Sequence, residues 1–182
     1  ELADGPASEE AVCRNLEAAF QAYGAPLVLK HDGGSIFHGQ RVQALLAEHR
    51  ITELTGPRGY PQYNGKKERS MRDIKSFERA MRRHRRRSML GQRIDAAVHD
   101  LNEERPRPVL GGRTAREVFE RDRIRCPDRR AFRKEVDRTE RKLRVEATTR
   151  ADRDSARRRA VEQVLLAYGL MTETGDVSHN FE

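Results

Sequence analysis

Pro61-Gln62-Tyr63-Asn64-Gly65-Lys66-Lys67-Glu68-Arg69 is the stretch that decides the fold class of this chain. Its turn formers, Pro61, Asn64 and Gly65, run into a helical pattern. Glu68 falls in the first turn of that helix, where the positive end of the helix dipole favours a carboxylate. Its companion upstream is His31-Asp32-Gly33-Gly34-Ser35-Ile36-Phe37. Asp32 follows Leu27-Val28-Leu29, a continuous apolar run with the pattern of a strand buried on both faces. Two glycines after Asp32 let the backbone turn sharply. Residues 33–67, 35 in all, separate the two acids. Ligands of open α/β sheets gather at the carboxyl ends of strands, which suits Asp32 to a site. Each half also has a plainer meaning, since Asp-Gly is a common turn and Glu68 with Arg72 makes an ordinary surface pair.

Elements on either side of this pair alternate between helix and strand. Ser8 followed by Glu9 and Glu10 reads as a helix N-cap with acids in the first turn. Val12, Leu16, Phe20 and Tyr23 form its stripe, and Gly24 and Pro26 end it. Val42, Leu45, Leu46 and His49 give a second helical stripe, and Ile51–Thr55 alternates as a β-branched strand. His31 and His49 read as ordinary surface or core-edge histidines. From Lys66 a long helix turns Met71, Ile74, Phe77 and Met81 to the core, with Glu68, Arg72 and Lys75 on another face. A further helix from about Ser88 offers Leu90, Ile94, Ala97, Val98 and Leu101, and Pro106, Pro108, Gly111 and Gly112 punctuate its end. Thr114-Ala115-Arg116-Glu117 is a capping box opening a short helix with Val118 and Phe119. Pro127-Asp128 opens one interrupted or two successive charged helices over 129–168, stopped at Gly169. Their apolar positions are sparse: Phe132, Val136 and Leu143, then Val161, Val164, Leu165 and Tyr168.

Charge is concentrated. The chain of 182 residues carries a net +8, with 36% charged and 36% hydrophobic residues and no Trp, so its core is lean. Residues 66–93 hold twelve Lys/Arg against three acids, and 113–159 hold eighteen against ten. The first stretch has too few acids to balance it and points to a phosphate partner, with nucleic acid the foremost choice. Arg69, Arg72, Lys75, Arg79, Arg82 and Arg83 are its candidate DNA contacts. The second stretch reads equally as a solvated helical face. Cys13 and Cys126 are too few for a metal cluster or disulfide framework, consistent with a reducing, cytoplasmic setting. No apolar run is long enough to span a membrane.

Four phrases in order resemble the catalytic core of retroviral-type integrases and DDE transposases. Phe20-Gln21-Ala22-Tyr23-Gly24-Ala25-Pro26 precedes the strand, and Asp32-Gly33-Gly34-Ser35-Ile36-Phe37 follows it. Pro61-Gln62-Tyr63-Asn64-Gly65-Lys66-Lys67-Glu68 and Leu101-Asn102 through Arg105-Pro106-Arg107-Pro108 and Leu110–Thr114 complete the set. The resemblance covers about residues 8–119. It implies an α/β fold, a ribonuclease H-like integrase core lacking its first strands, followed by a charged α-helical extension. The implied domains are a partial catalytic core over 1–119, a charged helical extension over 120–170 and a disordered tail over 171–182.

The same resemblance implies Mg²⁺-dependent strand transfer on DNA, with Asp32 and Glu68 as second and third acids of a DDE triad and as metal ligands. Mn²⁺ is the possible substitute cofactor. Gln62, Tyr63, Asn64 and Gly65 match the flexible loop beside the site, and Arg72 and Lys75 match DNA-approaching positions on the Glu-bearing helix. DNA is the implied partner, with a homo-oligomer in the full-length protein and no membrane. Gly33 departs from the family's Asn, and Ala115 stands where Pro is frequent. The family's first Asp and first three strands belong upstream of residue 8, and the chain starts at Glu1, so the expectation is a fragment inactive by itself. The alternatives from another class are a non-catalytic basic DNA-binding helical module and an inactive transposon remnant.

Overall fold

The computed structural model describes residues 8–57, 63, 65–80, 90–121 and 127–171. These fall into two compact units, one holding residues 63, 65–80 and 90–121, the other 8–57 and 127–171.

The second of these units is an α/β layer structure. Helix α1, Glu9–Tyr23, leads into strand β1, Val28–His31. A 3₁₀ turn over Ser35–His38 and helix α2, Gln40–Glu48, then return the chain to strand β2, Thr52–Thr55. The strands pair in parallel, with Val28 opposite Thr52 and His31 opposite Thr55. Among the described residues they form a two-stranded sheet, and helix predominates. Period-two alternation sends neighbouring residues of a strand to opposite faces. Accordingly Val28 and Leu54 meet one apolar cluster while Leu29 meets another. Lys30 is exposed and Val28 and Leu29 are half-buried, so β1 is less enclosed than its apolar run suggests.

Two pairs of helices cover the faces. On one side α1 and α2 enclose Val42, Leu46 and Ile51, with Val12, Leu16 and Phe20 packed against them. On the other lie α6, Arg129–Glu146, and α7, Arg150–Ala167. Phe132, Val136 and Leu143 from α6 and Val161, Val164 and Leu165 from α7 form one core with Leu54. The segment expected as an extension thus closes one face of the sheet. Ala156 and Ala160 are fully buried where the two helices meet, and small side chains at such a contact let helix axes approach. Arg157 of α7 bonds both Asp137 at 2.6 Å and Glu140 at 3.0 Å on α6.

Local signals set the helix ends. Ser8 accepts from the Ala11 amide at 3.2 Å, and Asp128 accepts from that of Ala131 at 2.6 Å. Gly24 takes φ 86° and donates to the Phe20 carbonyl, closing α1. Between α6 and α7, Thr149 and Asp152 form a reciprocal capping box. Tyr23 is 59% exposed, so the α1 stripe ends at Phe20.

The other unit holds α3, Gly65–Ala80, and α4, Leu90–His99, which runs into a π turn over Asp100–Glu104. Ala97 and Leu101 are buried and Ile74 and Phe77 half-buried. Met71 and Val98, expected in the core, stand at 49% and 39% exposed. Helix α5, Ala115–Arg121, opens on the expected box: Thr114 Oγ1 accepts from the Glu117 amide at 3.2 Å, and the Glu117 carboxylate accepts from the Thr114 amide at 2.7 Å. Phe119 is exposed. Met81, Arg82, Arg83, Ser88, Cys126 and residues 172–182 lie outside the described residues.

Candidate functional site

Asp32 sits where β1 ends, with its side chain open to solvent. Its Oδ1 accepts from the Gly34 amide at 3.2 Å, a local turn that holds the next two residues. Gly33 adopts φ 76°, and a Cβ there would come within 2.9 Å of the Thr55 methyl group on β2. Both the backbone conformation and the closeness of that methyl disfavour a side chain here.

The residue that fastens this loop is His31, which is buried at 4% exposure rather than lying at the surface or core edge. Its Nδ1 accepts from the Gly33 amide at 3.1 Å, so that nitrogen carries no proton. The proton is therefore on Nε2, which donates to Glu53 Oε1 at 3.1 Å. Glu53 Oε1 also receives Gln43 Nε2 at 2.9 Å, and the same amide group donates to the Phe37 carbonyl at 2.7 Å. The Glu53 carboxyl is held below its ordinary range chiefly by the His31 hydrogen bond; burial opposes this and the Gln43 bond adds to it. The Phe37 ring stacks on His31 with centroids 4.5 Å apart. Residues 32–38 are thereby tied down at both ends to β2 and α2. Sequence reasoning missed Glu53 and Gln43; the available signal was a carboxylate in the middle of an otherwise apolar and β-branched strand.

A second fastening joins α1 to α2. Glu9 Oε1 accepts from the amides of Arg41 at 2.5 Å and Val42 at 3.2 Å, capping the start of α2 from a different helix. Arg129, at the start of α6, donates to the carbonyls of Pro26 and Ala25 just before β1.

Glu68 lies in the first turn of α3 and is exposed, as are Arg69, Arg72, Lys75 and Arg79. Glu68, Arg72 and Lys75 share one side of the helix by their spacing. Gly65 opens α3 and Tyr63 is half-buried; Gln62 and Asn64 lie outside the described residues. Asp32 and Glu68 belong to different compact units. Among the described residues, no group of three or more His, Cys, Asp or Glu side chains is placed to hold a metal ion. No helix among them is long and apolar enough to cross a membrane.

No family model and no curated protein matches the chain. Among solved structures it is similar to the catalytic core domain of BIV integrase, with a TM-score of 0.53 and 27% sequence identity. That likeness covers 63% of this chain and 72% of the integrase chain, and it supports an integrase-like α/β architecture at a coarse level.

Proposed function

We propose that this chain belongs to a DNA strand-transfer enzyme, an integrase or transposase of the DDE type, in which Asp32 and Glu68 serve as second and third acids. The observation that carries this is Asp32: a solvent-open carboxylate at the carboxyl end of a parallel strand, on a loop fastened by His31, Glu53 and Gln43. Likeness to an integrase core supports the same function from outside the site.

Mg²⁺ is the implied cofactor. It takes oxygen donors and is commonly held by one or two carboxylates, with water and substrate phosphate completing its shell. Asp32 and Glu68 are exposed carboxylates and fit as donors of that kind. Bound there, the ion would activate the attacking water or 3′-hydroxyl and stabilise the leaving oxygen. The remaining work falls to the chain itself. Arg72 and Lys75, beside Glu68 on α3, would bind DNA phosphates, with Arg69 and Arg79 extending the contact. The fixed 32–38 loop would keep the Asp32 carboxylate aimed at one place, so that no loop ordering is needed at the moment of reaction.

The second possibility, a basic DNA-binding module without catalysis, draws on the exposed cations Arg69, Arg72, Lys75 and Arg79 of α3. Strand-transfer and nicking assays on the protein expressed from its native reading frame separate the two. Asp32→Asn and Glu68→Gln should each remove several kcal/mol of transition-state stabilisation, on the order of a thousandfold in rate, while DNA affinity stays within about threefold. Cleavage without joining would instead indicate a nuclease. Unchanged Mg²⁺-dependent activity in either variant would refute the assignment of the acids.

A further inference from the structure

A groove of about 460 Å³ opens between the end of α2 and the outer side of α6. Its lining is Ala47 and Arg50 from the α2 end and Arg129, Arg130, Arg133, Lys134, Asp137 and Arg141 from α6. All belong to the unit that carries β1 and β2. We propose that this groove is a second binding surface for the phosphate backbone of duplex DNA, separate from the one on α3. It stands or falls independently of the catalytic proposal, because it concerns charge and shape alone.

The first support is the way charge is distributed around α6. Cations elsewhere on the helix have acidic partners: Arg138 with Glu135 at 2.6 Å, Arg144 with Glu140 at 2.8 Å and Lys142 with Glu146 at 4.0 Å. Arg50, Arg130, Arg133 and Lys134 have no ion pair among the described residues. The single acid of the lining, Asp137, is already neutralised by Arg157 of α7 at 2.6 Å. Arg129–Arg133 and Arg130–Lys134 are like charges at i, i+4, an arrangement that costs helix stability unless an anion lies across it.

The second is the backbone at Arg50. The α2 helix ends in a Schellman motif: Ile51 donates to the Leu46 carbonyl at 2.8 Å and Arg50 to that of Ala47 at 3.0 Å. Arg50 occupies the position normally held by glycine, at φ 51°. A left-handed conformation is unfavourable for a residue with a Cβ. The fold accepts that strain and gains a guanidinium at the rim of the groove.

Shape and chemistry select the partner. From Arg130 to Arg141 the helix rises about 17 Å. One strand of a duplex presents a phosphate every ~3.4 Å of axis, so the row spans about five of them. Guanidinium groups bind phosphate oxygens in pairs. A helix that inserts into a membrane surface carries large apolar side chains, and Ala47 is the one apolar residue in the lining.

The test is DNA binding by the 182-residue chain in EDTA, with a fluorescent duplex of about 20 base pairs, over about 50–200 mM salt. The triple variant Arg130→Gln/Arg133→Gln/Lys134→Gln should lower the slope of log K against log salt by about 2.7 and weaken binding on the order of a hundredfold. The control Arg138→Gln/Lys142→Gln/Arg144→Gln removes equal charge from paired positions and should move the slope by less than about 1. Arg50→Gly should bind DNA several-fold more weakly while melting at an equal or higher temperature, since glycine relieves the strain. Equal losses in the two triple variants would overturn the proposal. So would groove-dependent binding to phosphatidylserine vesicles with no groove dependence for DNA.

Discussion

Glu53→Ala is the sharpest probe of how the candidate site is held. The carboxylate receives two hydrogen bonds, from His31 Nε2 at 3.1 Å and Gln43 Nε2 at 2.9 Å. Hydrogen bonds to a charged group contribute about 1.5–3 kcal/mol each. Gln43 keeps its bond to the Phe37 carbonyl, but the buried His31 N–H is left without an acceptor. The net cost should be about 3 kcal/mol, or a fall of about 6–12 °C in melting temperature for a chain of this size. Amide exchange at Gly33 and Gly34 should quicken, because the His31 ring that accepts from Gly33 loses its anchor. Acid titration gives a second readout with a definite sign. The folded Glu53 carboxyl lies below the ordinary glutamate value of about 4.3, mainly through the His31 bond. Its stabilisation is therefore complete above that value and is lost as pH falls through the depressed folded value. Glu53→Gln cannot titrate, so its deficit against wild type should shrink on acidification. A Glu53→Ala melting temperature within about 1 °C of wild type would show that the His31–Glu53–Gln43 network does not hold the loop.

Two further perturbations test the non-local and local caps. Glu9→Ala should cost about 1–2 kcal/mol by uncapping α2. Gly39→Ala should cost a similar amount because its Cβ would overlap the Glu9 carboxylate. In a Glu9→Ala background the Gly39→Ala change should become neutral or stabilising, since φ −66° suits alanine; additive losses in urea titrations would refute the shared contact. Thr149→Ala should cost about 1 kcal/mol by removing one half of the α7 capping box, seen as a lower urea midpoint at constant slope.

What the sequence determined by itself is local. Ser8, Gly24, Thr114 with Glu117, Asp128 and Gly169 mark helix ends because a cap joins groups within about four residues, and that distance is visible in the order of residues. The short strands, their joining by α2 and the placement of Asp32 at a strand end were legible for the same reason. Asp32 and Glu68 were singled out by motif and spacing, and the structure adds how the first of them is held. The tertiary structure alone decided the rest. Glu9 caps a helix through amides 32 and 33 residues further on, and His31 is buried because a carboxylate and a glutamine from other elements meet its ring edge. Ala156 and Ala160 become core because α6 lies against them, and the charged helices close the sheet because Leu54 faces them. The unpaired cations of α6 form a groove because the end of α2 stands opposite. Each of these depends on which faces come together, and side chains far apart in sequence acquire that meaning when the chain has folded.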